Sequence, residues 1–366
     1  MGNSALTRTH AKGNINNEFY TRYETVEEQV EPFLEHFKNK VIYLIADNPY
    51  YSQYFRYFID NFNELGIKTL FSTNLSIDDD TLENNEDYQC MIRYVPNDVP
   101  SDINDLFNYE KNTLEVLEKG EGCLYSDNTS SLMREVDIVI TNPPFSKYGD
   151  LIEHLMYVGV DFILLGNLND ISNSRIAPYV LNDEINVSFF NSESVKFDVL
   201  KGHSGVSKMG NICTYTTLNV PFNNNHTLEL KANYFGNEHN YQFLDNYNIL
   251  CVGRINEIPK DYISPMAVPI TIFKYINQID YKIIGMCKNV AVKYNKPWVI
   301  PTKNYGKAER YNDGGYTGVR GNINGDPVIY HDEKPKEGTY YVSPNYDGYY
   351  TVKYVRIIIQ KEPINE

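Results

Sequence analysis

Asn142-Pro143-Pro144-Phe145 is the stretch of this 366-residue chain whose residue types and order specify a chemistry. The amino group on a flat heterocycle such as adenine is a poor nucleophile, because its lone pair is delocalised into the ring. Two acceptors placed against its two N–H bonds draw it toward tetrahedral geometry and stabilise the charge that develops during attack, without first removing a proton. The Asn142 side-chain oxygen and the Pro143 carbonyl are of the right type and spacing. Consecutive prolines fix φ and lack N–H donors, so such a loop holds its acceptors still and cannot fold back into a ladder. Phe145 offers a flat face on which an extruded base can stack, since a base inside a duplex is beyond the reach of any active site.

That loop needs a strand before it and a helix after it. Asp137-Ile-Val-Ile-Thr141 reads as a buried strand and Tyr148–Val158 as a helix. Further strands are expected at Val41–Asp47, Thr69–Thr73 and Phe162–Gly166, and further helices at Thr25–Lys38, Tyr51–Leu65 and near Ser174–Leu181. The alternation predicts an α/β fold, a parallel sheet covered by helices. Ligands of such sheets lie outside the carboxyl ends of the strands, so the residues after Ala46 and Thr141 stand where chemistry is expected. Asp47-Asn48-Pro49 follows the first strand, and an acidic residue there suits a cofactor's amino or hydroxyl groups. The glycine-rich turn common at this place is absent, and Asp47 equally suits a cap on the next helix. Phe19-Tyr20-Thr21, just ahead of the first helix, is placed to fold back over a cofactor.

Ser76 to Gly122 forms an acidic insertion, read as loop with a helix near Leu114–Lys119. From about Gly202 the texture turns Asn- and Tyr-rich with short alternating runs, Cys213–Val220, Tyr340–Ser343 and Tyr349–Gln360, which predicts a β-rich second region. The expected division is therefore a disordered tail over 1–17, a core over 18–201 and a second region over 202–366. The net charge of −15 is wrong for a nucleic-acid binder taken as a whole, since phosphate contacts need Lys and Arg. Its distribution answers this: residues 1–200 carry a net of −19 and residues 201–366 a net of +4. Lys282 to Arg310 holds seven basic residues against Glu309 alone, interleaved with Tyr294, Trp298 and Tyr305. Such a run is either a solvated face or a phosphate-binding one. The five cysteines stand singly, with no metal-ligand spacing, and are expected as buried thiols with no metal site. No apolar run approaches a membrane span, and Met1 to Asn17 is polar with no apolar core for a signal peptide, so a soluble, cytoplasmic protein is expected.

Taken together these segments resemble the EcoRI-type adenine-specific DNA methyltransferases, over nearly the whole chain from about Asn17. The matching strings are Glu18-Phe-Tyr-Thr21, Asp47-Asn-Pro49 with Ser52, Asp137–Ser146 and Gly166-Asn-Leu-Asn169. In the second half they are Gly210-Asn211, Tyr215-Thr-Thr-Leu218, Asp245-Asn246-Tyr247, Ile258-Pro-Lys-Asp-Tyr262, Met266-Ala-Val-Pro-Ile-Thr271 and Tyr354-Val-Arg-Ile-Ile-Ile359. The Asn-Pro-Pro-Phe loop is shared by many amino-methyltransferases, whereas the second-half strings are peculiar to this family.

The resemblance implies a Rossmann-like core that binds S-adenosyl-L-methionine, followed by a partly β, C-terminal target-recognition region. It implies N6-methylation of a flipped adenine in double-stranded DNA, within a restriction-modification system that has a cognate endonuclease encoded nearby, by a monomer. Carried over by residue, Asn142, Pro143, Pro144 and Phe145 would hold adenine. Phe19, Tyr20, Thr21, Asp47, Asn48, Pro49 and Asn142 would line the cofactor. Before the catalytic strand the family shows Gly-Asp-Phe-Arg where this chain has Gly122-Cys123-Leu124-Tyr125, and Asp127 is the acidic substitute nearest that place. In the basic region, Lys288, Lys293, Lys296, Lys303 and Arg310 are expected on phosphate. The competing readings are methylation of RNA or of a protein glutamine, whose flat amine the same loop would polarise, and an inactive DNA-binding homologue. The long second region favours DNA over protein as substrate.

Overall fold

The computed structural model describes residues 19–47, 52–73, 90–94, 113–116, 127–143, 147–191, 194–199, 206–219, 227–288, 300–320 and 323–361. The expected tail over 1–17 and the site residues Asn48, Pro49, Pro144, Phe145, Lys293 and Lys296 lie outside them. The chain divides into two compact units, one of residues 1–170 and 183–221, the other of 171–182 and 222–366.

The first unit is built on an eight-stranded sheet. In chain order its strands are β2 (Val41–Leu44), β3 (Thr69–Thr73), β4 (Cys90–Tyr94), β5 (Thr113–Val116), β6 (Ile138–Thr141), β7 (Asp161–Asn167), β8 (Asn186–Phe189) and β11 (Ile212–Thr216). They lie in the order β5-β4-β3-β2-β6-β7-β11-β8. The central four, β3-β2-β6-β7, are parallel, and β4, β5, β11 and β8 join antiparallel. Each central strand is buried nearly throughout, as parallel strands covered on both faces must be, which is why they read as short runs rich in Ile, Val, Leu and Phe.

The helices that cover the sheet are amphipathic. Helix α1 (Tyr23–Val30) buries Val26, Gln29 and Val30 at the i, i+3, i+4 spacing of one face, and a 3-10 turn over Glu31–His36 continues it, where Pro32 permits only a first-turn position. Helix α2 (Gln53–Asp60) packs Phe55, Phe58 and Ile59 into the same apolar cluster as Ile42, Leu44, Ile138 and Ile140. Helices α3 (Asp127–Met133) and α4 (Tyr148–Val158) precede and follow β6. Gly159 ends α4 in the left-handed region at φ 78°, a conformation glycine adopts without a Cβ penalty. A separate three-stranded antiparallel sheet joins β1 (Phe19–Thr21), β9 (Ser194–Val199) and β10 (Val206–Gly210).

Two expectations change here. Thr113–Val116 is a strand, not part of a helix near Leu114–Lys119: its backbone pairs with Cys90–Arg93, and ladder bonds along a whole sheet edge outweigh a weak local helix preference. The first unit also runs to Pro221, past the boundary expected at 201/202, because β11 threads between β7 and β8.

The second unit carries two five-stranded sheets. One, in the order β12-β13-β14-β21-β15, comprises β12 (Gln242–Leu244), β13 (Ile249–Cys251), β14 (Met266–Pro269), β15 (Tyr281–Cys287) and β21 (Arg356–Lys361). The other, in the order β17-β16-β19-β20-β18, comprises β16 (Ala308–Asn312), β17 (Gly315–Arg320), β18 (Val328–His331), β19 (Tyr340–Val342) and β20 (Tyr349–Val352). The β-rich texture is therefore real, but the run Tyr349–Gln360 is two strands in two different sheets. The unit also takes in helix α5 (Ala177–Leu181). Asn246, fully buried, ties three segments together: its amide nitrogen donates to the carbonyls of Asn324 and Asp326, and its own carbonyl accepts from Thr302. This gives the Asp245-Asn246-Tyr247 string an architectural reason, completed by Tyr247, whose hydroxyl donates to the Gly325 carbonyl at 2.8 Å. Cys213, Cys251 and Cys287 are buried thiols that form no disulfide among the described residues.

Candidate active site

Strands β2 and β6 run parallel and in register, Ile42 against Ile138 and Leu44 against Ile140. From β2 the chain order proceeds outward to β3 and β4 on one side, while β6 and β7 lie on the other. The sheet therefore reverses its winding between β2 and β6, and the crevice at such a switch point is where open α/β sheets bind ligands. Asp47 follows β2 and Asn142 follows β6, so both come to this crevice.

The turn after β2 does without glycine. Ala46 takes φ +62°, a left-handed conformation that costs an L-residue about 1–2 kcal/mol. It is held there from the next residue: the Ser72 hydroxyl of β3 donates to the Asp47 carbonyl. Asp47 is buried. Its Oδ1 accepts from the Ser52 hydroxyl at 2.7 Å, while Oδ2 is buried with no hydrogen-bond partner among the described residues. Burial disfavours the charged form and pushes the carboxyl up to about 7, against smaller opposing effects of the Ser52 and Thr141 hydroxyls. The Thr141 hydroxyl stands near enough to matter but makes no hydrogen bond of good geometry. Asp47 does not cap the helix that follows. Ser52 does, accepting from the backbone N–H groups of Tyr54 and Phe55 at 3.1 and 3.3 Å.

Asn142 is half-buried and Pro143 buried. The Asn142 Nδ2 donates to the Thr21 hydroxyl at 3.0 Å, so the N-terminal strand and the loop after β6 meet. Pairing of β1 with β9, Thr21 opposite Phe197, sets Thr21 in place, and a two-pronged contact of Arg22 with Asp198 Oδ1, at 2.9 and 2.5 Å, fastens the strand end. Behind Thr21 the Tyr54 hydroxyl donates to Gln29 Oε1. Burial raises the Tyr54 phenol well above its ordinary range, the nearby Asp47 adds to this, and contacts with Thr21 and Gln29 offset part of it. Tyr54 and Gln29 escaped the reading by residue type. The available signal was Gln29 itself, a polar residue inside the apolar stripe of α1.

The helix after the loop is seated on β7. Tyr148, the first residue of α4, packs its ring against Tyr215 at 5.6 Å between centroids. Its buried hydroxyl, which has no partner among the described residues, lies where a Cβ on Gly166 would stand, 2.2 Å away. The Gly166-Asn-Leu-Asn169 string thus serves close approach, with Asn167 Oδ1 accepting from the Asn169 N–H at 3.0 Å. Phe19 and Tyr20 lie in β1, opposite Val199 and Asp198. Asp127 stands exposed in the first turn of α3, and no hydrogen bond of the described residues joins it to Asp47 or Asn142.

In the second unit the basic residues separate. Lys303 pairs with Asp245 at 2.6 Å and lies over the Tyr346 ring, and the Tyr305 hydroxyl donates to the other Asp245 oxygen at 2.6 Å. Lys288 donates to the Ser172 carbonyl at 2.6 Å. Arg310 is exposed on β16, with no ion pair among the described residues. Lys303 and Lys288 thus bond within the unit, and among the described residues expected on phosphate it is Arg310 that stands out in solvent.

Fold and site together place Asp47 and Asn142 at the switch point of an α/β sheet, where enzymes of this architecture bind their ligands. The sequence profile described as adenine-specific methyltransferase EcoRI matches residues 7–362, and the chain belongs to that family of methyltransferases. It is 28% identical over 303 residues to the Type II methyltransferase M.EcoRI of Escherichia coli, covering 77% of this chain and 90% of that protein. It is 28% identical over 297 residues to M.MpnI of Mycoplasma pneumoniae, covering 76% and 85%. With M.MgeORF184P of Mycoplasma genitalium it shares 26% over 298 residues, covering 76% and 86%. No solved structure matches the chain. No helix of the described residues is long and apolar enough to cross a membrane.

Proposed function

We propose that this methyltransferase transfers a methyl group from S-adenosyl-L-methionine to the exocyclic amine of an adenine turned out of duplex DNA. The observation that carries the reading is that Asp47 and Asn142 follow the adjacent parallel strands β2 and β6 at the switch point of the sheet, with the Asn142 amide held by Thr21. In this reading the first unit is a Rossmann-like cofactor-binding core and the second is the target-recognition region.

The residues present fit the cofactor. Asp47 Oδ2 is a buried acceptor with no partner among the described residues, an arrangement that costs free energy unless a donor arrives, and the cofactor carries an ammonium and two ribose hydroxyls. Asp47, with Asn48 and Pro49 after it in the chain and Phe19 and Tyr20 of β1, would hold that group. When bound it supplies an electrophilic methyl on a sulfonium. The chain's own residues do the rest: Asn142 Oδ1 and the Pro143 carbonyl accept from the two amine N–H bonds, and Phe145 stacks on the base. Aligning these acceptors with developing charge is worth about a hundredfold or more in rate. Arg310 meets phosphate. The protein acts in the cytoplasm as a monomer, the methylating half of a Type II pair with an endonuclease of the same target.

The test uses purified protein, labelled cofactor and unmethylated duplex DNA. Label is expected on adenine N6, and Asn142→Ala lowers transfer at least about a hundredfold while DNA affinity stays within a few-fold. Label on RNA or on protein glutamine in place of DNA, or an active Asn142→Ala enzyme, overturns the reading.

A further inference from the structure

An asparagine amide is nearly symmetric in shape, and turning it over exchanges an acceptor for two donors. At this site the orientation decides everything, because an NH2 presented to a substrate NH2 sets donor against donor. The preceding reading needs Oδ1 forward, and the loop sequence alone does not choose. We propose that Thr21 is a positioning residue: its hydroxyl, ordered from behind by Tyr54 and Gln29, holds the Asn142 amide with Nδ2 turned back and Oδ1 toward the substrate amine.

The order comes from proton counting. Asn142 Nδ2 donates to Thr21 Oγ1 at 3.0 Å. A hydroxyl can accept or donate, so Thr21 by itself would tolerate either amide orientation. Behind it, Tyr54 donates its only proton to Gln29 Oε1, leaving the phenol oxygen as an acceptor. No hydrogen bond of good geometry joins the Thr21 hydroxyl to that phenol among the described residues, but the two stand near enough for Thr21 to offset part of the phenol's raised pKa, and an acceptor on that side draws the Thr21 proton away from Asn142. Thr21 Oγ1 then faces Asn142 as an acceptor, which Nδ2 answers. Thr21, Gln29 and Tyr54 are 7%, 2% and 1% exposed. Water does not reach the relay to reorder it, and a misdirected bond in so dry a place is expensive. The relay also gives a reason for pinning the end of β1 through Arg22 to Asp198: the strand delivers one hydroxyl to the loop after β6.

This inference rests on Asn142 contacting the substrate amine, and the experiment separates the two. Thr21→Val keeps the shape and removes the hydroxyl, Thr21→Ser keeps the hydroxyl, and Tyr54→Phe removes the link behind. Single-turnover methyl transfer to a duplex oligonucleotide is measured beside dissociation constants for the cofactor and DNA, with a thermal melt of each variant. Thr21→Val is expected to lower the transfer rate about tenfold, a loss of positioning rather than of binding, with both dissociation constants within about threefold. Thr21→Ser recovers most of the rate, and Tyr54→Phe loses a smaller factor in the same direction. A Thr21→Val enzyme that transfers as fast as the parent, or faster because a reversed relay had been consuming Oδ1, overturns the inference. So does a rate loss that only saturating cofactor repairs, which would make Thr21 a cofactor ligand. If the parent transfers no methyl to adenine, or Asn142→Ala remains active, the functional reading itself falls instead.

Discussion

Ser52 Oγ donates to Asp47 Oδ1 at 2.7 Å while accepting from the first N–H groups of α2. One hydroxyl thus caps the helix and fixes the carboxylate, leaving Oδ2 aimed into a place where nothing among the described residues meets it. With the carboxyl pushed up to about 7 by burial, the ionised fraction rises about tenfold between pH 6 and pH 8. Cofactor affinity, followed by calorimetry, is expected to rise by about that factor over this range. Asp47→Asn should bind weakly and without the pH dependence. The raised value has the opposite effect on the ligand-free fold: the native state holds the proton more tightly than the unfolded chain, so stability falls as pH rises from about 4 to 7. Asp47→Asn should therefore raise the melting temperature of the ligand-free protein at pH 8 by several degrees, and by less at pH 5. A flat affinity profile in the parent would remove Asp47 from the cofactor site.

Ala46 holds the left-handed turn at φ +62° where glycine would fit without strain. Ala46→Gly should stabilise the protein by about 0.5–1 kcal/mol, the relieved strain less the added freedom of the unfolded chain. Ala46→Val, β-branched at the same φ, should cost about 2 kcal/mol. Urea midpoints of the two variants on opposite sides of the parent are the expected result.

Gly166→Ala sets a methyl 2.2 Å from the Tyr148 hydroxyl and 3.0 Å from the Tyr215 ring. Strand β7 is hydrogen-bonded on both sides and cannot retreat, so Tyr148 must move. A loss of about 2–3 kcal/mol is expected, with slower methyl transfer because Tyr148 begins the helix after the Asn-Pro-Pro-Phe loop. Tyr148→Phe removes a buried hydroxyl that has no partner among the described residues and should be neutral or stabilising by about 1 kcal/mol. The double variant should lose less than the sum, measured by a denaturation cycle.

Asp245 accepts from Lys303 and Tyr305 at once. Asp245→Ala strands an ammonium and a phenol, and since Lys303 keeps about a third of its side chain in solvent, the expected cost is about 2 kcal/mol rather than the larger penalty of a fully buried pair. Lys303→Ala should likewise show in the melt.

Arg310→Ala leaves the melt alone and weakens binding to all duplexes alike, lowering the slope of log affinity against log salt by about 0.9. A sequence-selective loss would mean that Arg310 reads a base edge.

The central strands were legible because parallel strands buried on both faces must be apolar along their length: Val139 and Ile140 could face nothing else. The edge was not legible. Thr113–Val116 alternates polar and apolar over only four residues, too short a run to decide between strand and helix, and becomes a strand by pairing with Cys90–Arg93. The run from Tyr349 to Gln360 divides between two sheets because pairing partners elsewhere in the chain, not local pattern, allot each half.

For the site, the residue types alone suggested the proposed chemistry, since an amide and a carbonyl held by two prolines suit an amine acceptor after a buried strand. They also suggested which strand ends to look at, because a strand's end is written in the boundary of its apolar run. Only the tertiary structure decided that Ser52, not Asp47, caps the helix, that one Asp47 oxygen finds no partner among the described residues, that Lys303 belongs to Asp245, and that Thr21 reaches Asn142 across 121 positions of chain. Each is a hydrogen bond or its absence between groups several residues or far more apart. Its geometry depends on where the backbone places both ends, which residue type cannot specify.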